Sequence, residues 1–442
     1  MRLLLTHGFF LAEDAKEQQV MRPYPPLGLL YLSAYLREKG FGVEIYDSTF
    51  GSKKELFSIL ERGPGAWLGV YGNLLTRKNV LEISRRARAA GWRVVLGGPE
   101  PANYAEEYLN SGADYVVQGE GEVTLAKLLA GDPAPPGVIY RHASGAVVRT
   151  EASDLIPDLD SLPWPDRERI DLGRYLSTWR ARHGKGSVSL ITARGCPYRC
   201  RWCSHSTFGK THRRRAVRAV AEETEWVLNR YQPEILWYAD DVFTIHTGWT
   251  LQYASEMKRR GIRVPFECIT RADRFSAPVA EALADMGCFR VWIGSESGSQ
   301  KILDAMERGV KLEAVRKAVD LAKSLGLEAG MFLMWGYEGE EIEDIEATVQ
   351  HVRACRPEVF LTTVAYPIKG TPYYEDVSRK LVRLGDWSAS TDRELRIRGR
   401  HSRRFYQFVD DYLRSSMELP ENPIRLAAAR AAMEQTFEEL EA

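Results

Sequence analysis

The sequence predicts an α/β chain: an open, doubly wound N-terminal domain, then a partial parallel (β/α)6 barrel, then a helical C-terminal segment. Two observations carry this expectation. Short apolar runs alternate with stretches of helical periodicity in two successive series, and a Pro-rich polar interruption separates the series.

Strands of the first series fall at 3–6, 43–46, 67–71, 93–96 and 115–117, with helical stretches over 29–39, 53–61, 78–90, 104–110 and 123–129. Runs as apolar as WLGVY suit a parallel sheet buried on both faces. Residues 131–185 read as a linker. GDPAPP breaks the pattern, VIYRHASGAVVRT forms a hairpin turning at Ser144-Gly145, and IPDLDSLPWPDRE is Pro-rich. The second series places strands at 188–193, 235–239, 265–270, 290–295, 327–334 and 359–366, with helices such as 217–231, 277–286, 312–325 and 341–354. Six consecutive βα units suit part of a TIM barrel. The expected domains are therefore 1–130, 131–185, 186–374 and a helical 375–442.

Composition is that of an ordinary globular chain: 442 residues, 44% hydrophobic and 27% charged. Lys plus Arg and Asp plus Glu are equal at 60 each, which gives no global attraction for nucleic acid or an anionic membrane. No apolar run approaches the roughly 20 residues that span a bilayer. The opening MRLLLTHGFFLAED lacks a small-residue cleavage site, so it reads as a buried strand in a cytoplasmic protein.

The cysteines are the sharpest signal. Six occur, none before Cys196, and this is no disulfide framework. Cys268, Cys288 and Cys355 are expected as small buried apolar residues. Cys196, Cys200 and Cys203 lie in ITARGCPYRCRWCSHSTFG, just after the first strand of the second series, where parallel barrels gather their reactive groups. Iron–sulfur clusters are held by thiolates, usually four. Three on one short loop leave an iron corner without a protein ligand, and an open position is what chemistry needs. The alternative is a structural zinc site borrowing His205 or His212.

Cys196-x3-Cys200-x-Trp202-Cys203 resembles the signature of the radical S-adenosylmethionine (SAM) superfamily, and the resemblance extends over about 188–373. It implies a 4Fe-4S cluster whose open iron is chelated by SAM, which is reductively cleaved to a 5′-deoxyadenosyl radical. It implies a reducing partner such as a flavodoxin or ferredoxin. It also places Trp202 near the adenine and Asp240 and Asp241, in YADDVFT, at the methionyl amine, where a carboxylate pairs with a cation. Arg271 would hold the methionyl carboxylate. Glu296 and Ser297, in WIGSESGS, would contact ribose or the methionyl group, and Phe332 would flank the adenine. MWGYEGEE departs from the family's Gly-x-Pro-Gly-Glu turn by carrying Glu338 in place of proline.

Residues 3–129 resemble the Rossmann-like cobalamin-binding domain fused to one branch of that superfamily. The corrin contacts so implied are Asn73, Leu74, Leu75 and Thr76 after the third strand, Gly97 and Gly98 after the fourth, and Gly119, Glu120, Gly121 and Glu122 after the fifth. The family's His-x-Thr after Gly98 is absent, with Pro99-Glu100-Pro101 in its place. No Asp-x-His-x-x-Gly run occurs, so no histidine axial ligand to cobalt is expected. A plain structural or nucleotide-binding α/β module is the alternative for this domain.

The resemblance implies methylation of an unactivated carbon of a small-molecule substrate, with a ring-forming or ring-contracting cyclase as the alternative on the same two cofactors. A transfer-RNA methylthiotransferase would carry further cysteines in its N-terminal domain, and none is present. The basic run KTHRRRAVR reads as a solvated or salt-bridging face. Arg393, Arg396, Arg398, Arg400, Arg403 and Arg404 would face an anionic substrate or pack their stems along a helix. Trp387, Tyr406 and Phe408 would line the substrate side or pack a capping helix.

Overall fold

Leu3, Leu4 and Leu5 of β1 (Arg2–His7) are all buried, because this strand has a core on each side. Leu4 belongs to one apolar cluster, and Leu3 and Leu5 to another. A strand covered on both faces cannot show polar alternation, so β1 reads as a continuous apolar run.

The computed structural model describes residues 2–63, 65–418 and 422–441. The chain divides into two units. The first comprises Met1–Pro197, Ser204–Leu236 and Gly385–Thr391, and the second Tyr198–Cys203, Trp237–Leu384 and Asp392–Ala442.

In the first unit, β1 is followed by α1 (Ala15–Val20), α2 (Leu27–Glu38), β2 (Gly42–Ile45), α3 (Lys53–Arg62), β3 (Trp67–Tyr71), α4 (Arg77–Ala89), β4 (Arg93–Gly97), α5 (Ala105–Asn110), β5 (Tyr115–Val117) and α6 (Gly121–Leu129). The sheet runs β2-β1-β3-β4-β5, all parallel, with Leu3 beside Val43 and Trp67. Residues of α3, α4 and α5 cover one face, and those of α2 and α6 cover the other. This is a doubly wound order, with its switch point between β1 and β3. Ser52 starts α3 with a reciprocal capping box to Glu55.

The hairpin expected in the linker is present as β6 (Val138–Arg141) and β7 (Val147–Arg149). It extends the N-terminal sheet, with β6 antiparallel to β5. Hairpin signals fix a turn but not the sheet edge to which the hairpin adds.

After α7 (Leu172–His183) the second series begins with β8 (Ser187–Leu190). The chain then bends into β9 (Ala193–Arg194), which pairs antiparallel with β10 (Arg213–Arg214), so the first barrel strand is shorter than its apolar run. α8 (Val217–Tyr231), β11 (Ile235–Tyr238), α9 (Thr247–Arg259), β12 (Phe266–Thr270), α10 (Ala277–Met286) and β13 (Cys288–Glu296) follow. Next come α11 (Gln300–Ala305), α12 (Leu312–Ser324), β14 (Glu328–Trp335), α13 (Ile342–Cys355) and β15 (Val359–Val364). The six-stranded sheet β8-β11-β12-β13-β14-β15 keeps strands in sequence order. The register is parallel from β12 to β15. This is the expected open six-unit barrel.

Beyond α14 (Pro372–Val377), the short strands β16 (Leu381–Val382) and β17 (Arg396–Ile397) pair antiparallel, and α15 (Arg403–Ser416) and α16 (Pro423–Thr436) complete the chain. Trp387 lies in the first unit, where its ring packs on Tyr104, Tyr108 and the Arg77 guanidinium. Tyr406 of α15 is buried. Among the described residues no helix is long and apolar enough to cross a membrane.

Candidate cofactor sites

Cys200 is buried, and its sulfur faces two guanidinium groups: Arg271 Nη1 at 4.0 Å and Arg308 Nη1 at 3.9 Å. A hydrogen bond from Cys203 pulls the Cys200 thiol down to about 6, against burial and with help from both arginines. The thiolate is the form that binds metal. Cys203 N donates to Cys200 O at 3.1 Å, closing a tight turn between these two thiols. The chain passes from the first unit to the second between Cys196 and Cys200, so Cys196 belongs to the first.

Arg271, at the end of β12, is immobilised. Its Nε donates to Asp273 at 2.9 Å, its Nη2 to Arg308 O at 2.9 Å, and its plane stacks 3.5 Å from the Tyr198 ring centroid. Arg308, which the sequence did not single out, donates to Gly294 O at 3.1 Å and lies 3.6 Å from Glu296 Oε1. Burial pushes the Glu296 carboxyl up to about 7, opposed by Arg308 and Arg271. Glu296 also has φ +62°, a left-handed conformation that costs a non-glycine residue about 1–3 kcal/mol and persists only when its surroundings enforce it.

The enforcing element is α13. His351 Nε2 and Ser295 Oγ are 3.1 Å apart, Thr348 Oγ1 accepts from Gly298 N at 2.8 Å and meets Ser297 Oγ at 3.2 Å, and Asp344 Oδ1 accepts from Ser299 Oγ at 2.6 Å. One helix face thus holds successive residues of the loop after β13. A Cβ at Gly298 would lie 2.5 Å from Ala347 O and from Thr348 Cα, so only glycine allows this approach. Arg316 Nε donates to His351 Nδ1 at 3.3 Å. Burial, with Arg316, pushes His351 down to about 4, so the ring is neutral and Nε2 is its donor. Besides meeting Thr348 of α13, the Ser297 hydroxyl accepts from Ser299 N within the loop.

Asp240 is buried at the end of β11 and Asp241 is exposed beside it. The loop they begin is tied to β12, with Phe243 N donating to Ile269 O at 2.9 Å and Thr244 and Thr270 hydroxyls 2.6 Å apart. Trp202 packs on the cluster containing Ile302, Met306, Tyr337 and Tyr373. Phe332 stacks on Trp292, with centroids 5.0 Å apart. The turn after β14 closes despite Glu338: Gly336 N donates to Glu340 Oε2 at 2.5 Å, and Glu338 pairs outward with Lys380.

In the first unit, Asn73 Oδ1 accepts from Leu75 N and Thr76 N, and Thr76 Oγ1 from Asn73 N, which shapes the loop after β3. Leu75 is exposed at 57%. Gly72 N donates to Gly97 O, which joins this loop to the end of β4. Gly98 has φ +106° and passes so close to Gly72 O that no Cβ fits. Behind these loops Arg77 and Glu100 form a buried pair at 2.5 Å, with Tyr108 donating to the same carboxylate. The fifth-strand residues behave differently: Glu120 and Glu122 turn their carboxylates onto Arg194 and Arg213. The ring of His7, the last residue of β1, is engaged by Asp47 and Ser48.

The B12 binding domain model matches residues 19–129, and the Radical SAM superfamily model matches residues 190–352. The chain belongs to the cobalamin-dependent radical SAM enzymes. It is 28% identical to an uncharacterized methyltransferase of Pyrococcus horikoshii, over 86% of this chain and 84% of that protein. It is 23% identical to the anaerobic magnesium-protoporphyrin IX monomethyl ester cyclase of Rubrivivax gelatinosus, over 86% of this chain and 71% of that one. Its fold is like that of the radical SAM methyltransferase TsrM from Kitasatospora setae, solved with cobalamin and a [4Fe-4S] cluster (TM-score 0.71, 20% identity, 86% of this chain and 74% of that one).

The residues of this radical SAM enzyme fit its cofactors. None of its motif cysteines is in a disulfide, and thiolates are the ligands that iron–sulfur clusters take. For the corrin, the exposed Leu75 offers apolar contact and Gly97 leaves its Cβ position open. Both lie at the C-terminal edge of a doubly wound sheet, where such folds bind ligands.

Proposed function

We propose that this enzyme methylates an unactivated carbon of a small-molecule substrate. When bound, the cluster and SAM supply a carbon-centred radical and cobalamin supplies the methyl group. The observation that carries the reading is the pairing of a B12-binding domain with a cysteine loop whose central thiol sits between two arginines. The relatives named as methyltransferases support transfer, and the cyclase relatives keep ring closure as the second reading.

The protein's part is to bind, orient and exclude water. In our reading Cys196, Cys200 and Cys203 hold the cluster. Arg308 offers its guanidinium to the SAM carboxylate, Asp240 accepts from the amine, and Glu296 takes a hydroxyl or the amine. Trp202 and Phe332 enclose the adenine, while Asn73–Thr76 and Gly97–Gly98 face the corrin. A flavodoxin or ferredoxin delivers the electron.

The test is anaerobic turnover of reconstituted, cobalamin-supplied protein with SAM, reductant and candidate substrates, read by mass spectrometry. Methylation gives 5′-deoxyadenosine, S-adenosylhomocysteine and a product heavier by one methylene unit. Loss of hydrogens without added carbon selects cyclisation, and absence of deoxyadenosine in every condition overturns both readings.

A further inference from the structure

The run Gly119-Glu120-Gly121-Glu122 has the glycines expected where backbone meets a flat ligand, yet its carboxylates are committed elsewhere. Arg194 Nη1 donates to Glu120 Oε1 at 2.6 Å and Arg194 Nη2 to Glu122 Oε1 at 2.6 Å. Glu120 Oε2 accepts from Arg213 Nη1 at 2.6 Å and from Ile156 N at 2.7 Å. Arg194 and Arg213 are cross-strand partners in the β9–β10 ribbon. Arg194 also lies over the rings of Tyr31 and Phe208. None of the four charged side chains is more than 12% exposed.

Position in the chain gives this cluster its meaning. Arg194 stands two residues before Cys196, and Arg213 lies where the cysteine loop returns to the ribbon. The two carboxylates that hold both ends of the loop come from the start of α6, the last helix of the B12-binding domain. Two buried carboxylates against two buried guanidiniums leave no net charge, and removing one partner would leave its mate uncompensated. A loop clamped at its base has less closure entropy to lose when its thiols converge on a cluster.

We propose that Glu120 and Glu122 are positioning residues for the iron–sulfur cluster, acting through Arg194 and Arg213, so that the cobalamin-binding domain sets the shape of the cluster loop. This rests on the cofactor assignment above and goes beyond it. It replaces the corrin contact that sequence alone suggests for these two side chains.

The test uses the full-length holoenzyme, reconstituted anaerobically with cobalamin present. Iron and acid-labile sulfide per chain, the rate of iron release to a chelator, cobalamin retained after desalting, and the thermal unfolding midpoint are measured for parent, Glu122→Gln and Arg194→Lys. Lysine keeps the buried positive charge but cannot bridge two carboxylates. Loss of a charge-assisted hydrogen bond from Arg194 is expected to speed iron release about tenfold in each variant. Cobalamin retention is expected to stay at the parent level. The double variant should be no worse than the worse single one, because both remove the same contact.

Iron release at the parent rate overturns the proposal. So does loss of cobalamin from a variant whose cluster is stable, which returns the carboxylates to the corrin. Parallel loss of both cofactors with a collapsed unfolding transition also overturns it, by making the cluster of charges a general support of the fold. A parent protein that takes up neither cofactor refutes the assignment of function instead, so the two failures are distinguishable.

Discussion

Arg308 reaches Cys200 Sγ with one arm, at 3.9 Å, and lies 3.6 Å from Glu296 with its inner nitrogen. A thiol of the cysteine motif and a carboxyl at the end of β13 thereby share one buried cation. Arg271 approaches the same sulfur from the end of β12, but Asp273 and the Tyr198 ring already occupy much of its hydrogen-bonding and stacking capacity. Of the two, Arg308 is the better placed to recognise an incoming carboxylate.

Arg308→Gln is therefore expected to weaken SAM binding about tenfold or more, since a hydrogen bond to a charged group contributes about 1.5–3 kcal/mol. Arg308→Lys should recover only part of this, because an ammonium cannot address sulfur and carboxylate together. Equilibrium binding of SAM to the reconstituted protein checks both. Wild-type affinity in the glutamine variant would remove Arg308 from the site.

The clasp of α13 on the loop after β13 gives a second prediction. Thr348→Val keeps the side chain's shape but strands the Gly298 amide, which should destabilise the second unit by about 1–3 kcal/mol and weaken SAM binding. Thr348→Ser should restore both. Gly298→Ala should cost at least as much, because the added carbon meets backbone that cannot yield. Urea unfolding beside SAM titration separates lost stability from lost positioning.

Glu340 predicts a pH dependence. Burial pushes its carboxyl up to about 8, opposed by the Gly336 amide. The folded state therefore keeps this proton up to about pH 8, while the unfolded chain releases it near the ordinary carboxyl value. Between those two values the native state binds the extra proton, so stability falls as pH rises through the window and is level above it. Glu340→Gln should unfold like the parent at pH 4 and be more stable at pH 9. A parent whose stability rose across that window by this group's titration would contradict the assignment.

A fourth prediction concerns Trp387. Its segment docks on Arg77, which donates to Ser390 O at 2.7 Å and pairs with Glu100. Arg77→Ala leaves the Glu100 carboxylate buried without its cation and should cost about 3–5 kcal/mol. Trp387→Ala should cost less but expose the chain around 385–391 to protease. Cleavage mapped by mass spectrometry would show it.

Much of this architecture was legible because its signals are local. A parallel strand buried on both faces writes itself as an apolar run, and three cysteines within eight residues announce a cluster loop without reference to the rest of the chain. What escaped the sequence was the pairing of distant charges. Arg308 lies 108 residues from Cys200, and Arg194 lies 74 from Glu120, with nothing in either neighbourhood to name its partner. The hairpin at 138–149 was legible as a hairpin, but its addition beside β5 depends on hydrogen bonds that no turn residue encodes. Trp387 belonged by composition to the helical tail, and only the aromatic slot around Arg77 assigns it to the first unit.

The two units are interleaved along the chain: it leaves the first inside the cysteine loop, returns at Ser204, leaves again after Leu236 and comes back once more for Gly385–Thr391. No single cut releases either half intact. Ribosomal synthesis cannot finish the first half before most of the second has emerged, because the segment Gly385–Thr391 arrives last. Attempts to swap a cobalamin module between such enzymes by splicing near residue 130 would leave an unfilled slot around Arg77 and two carboxylates stripped of their arginines.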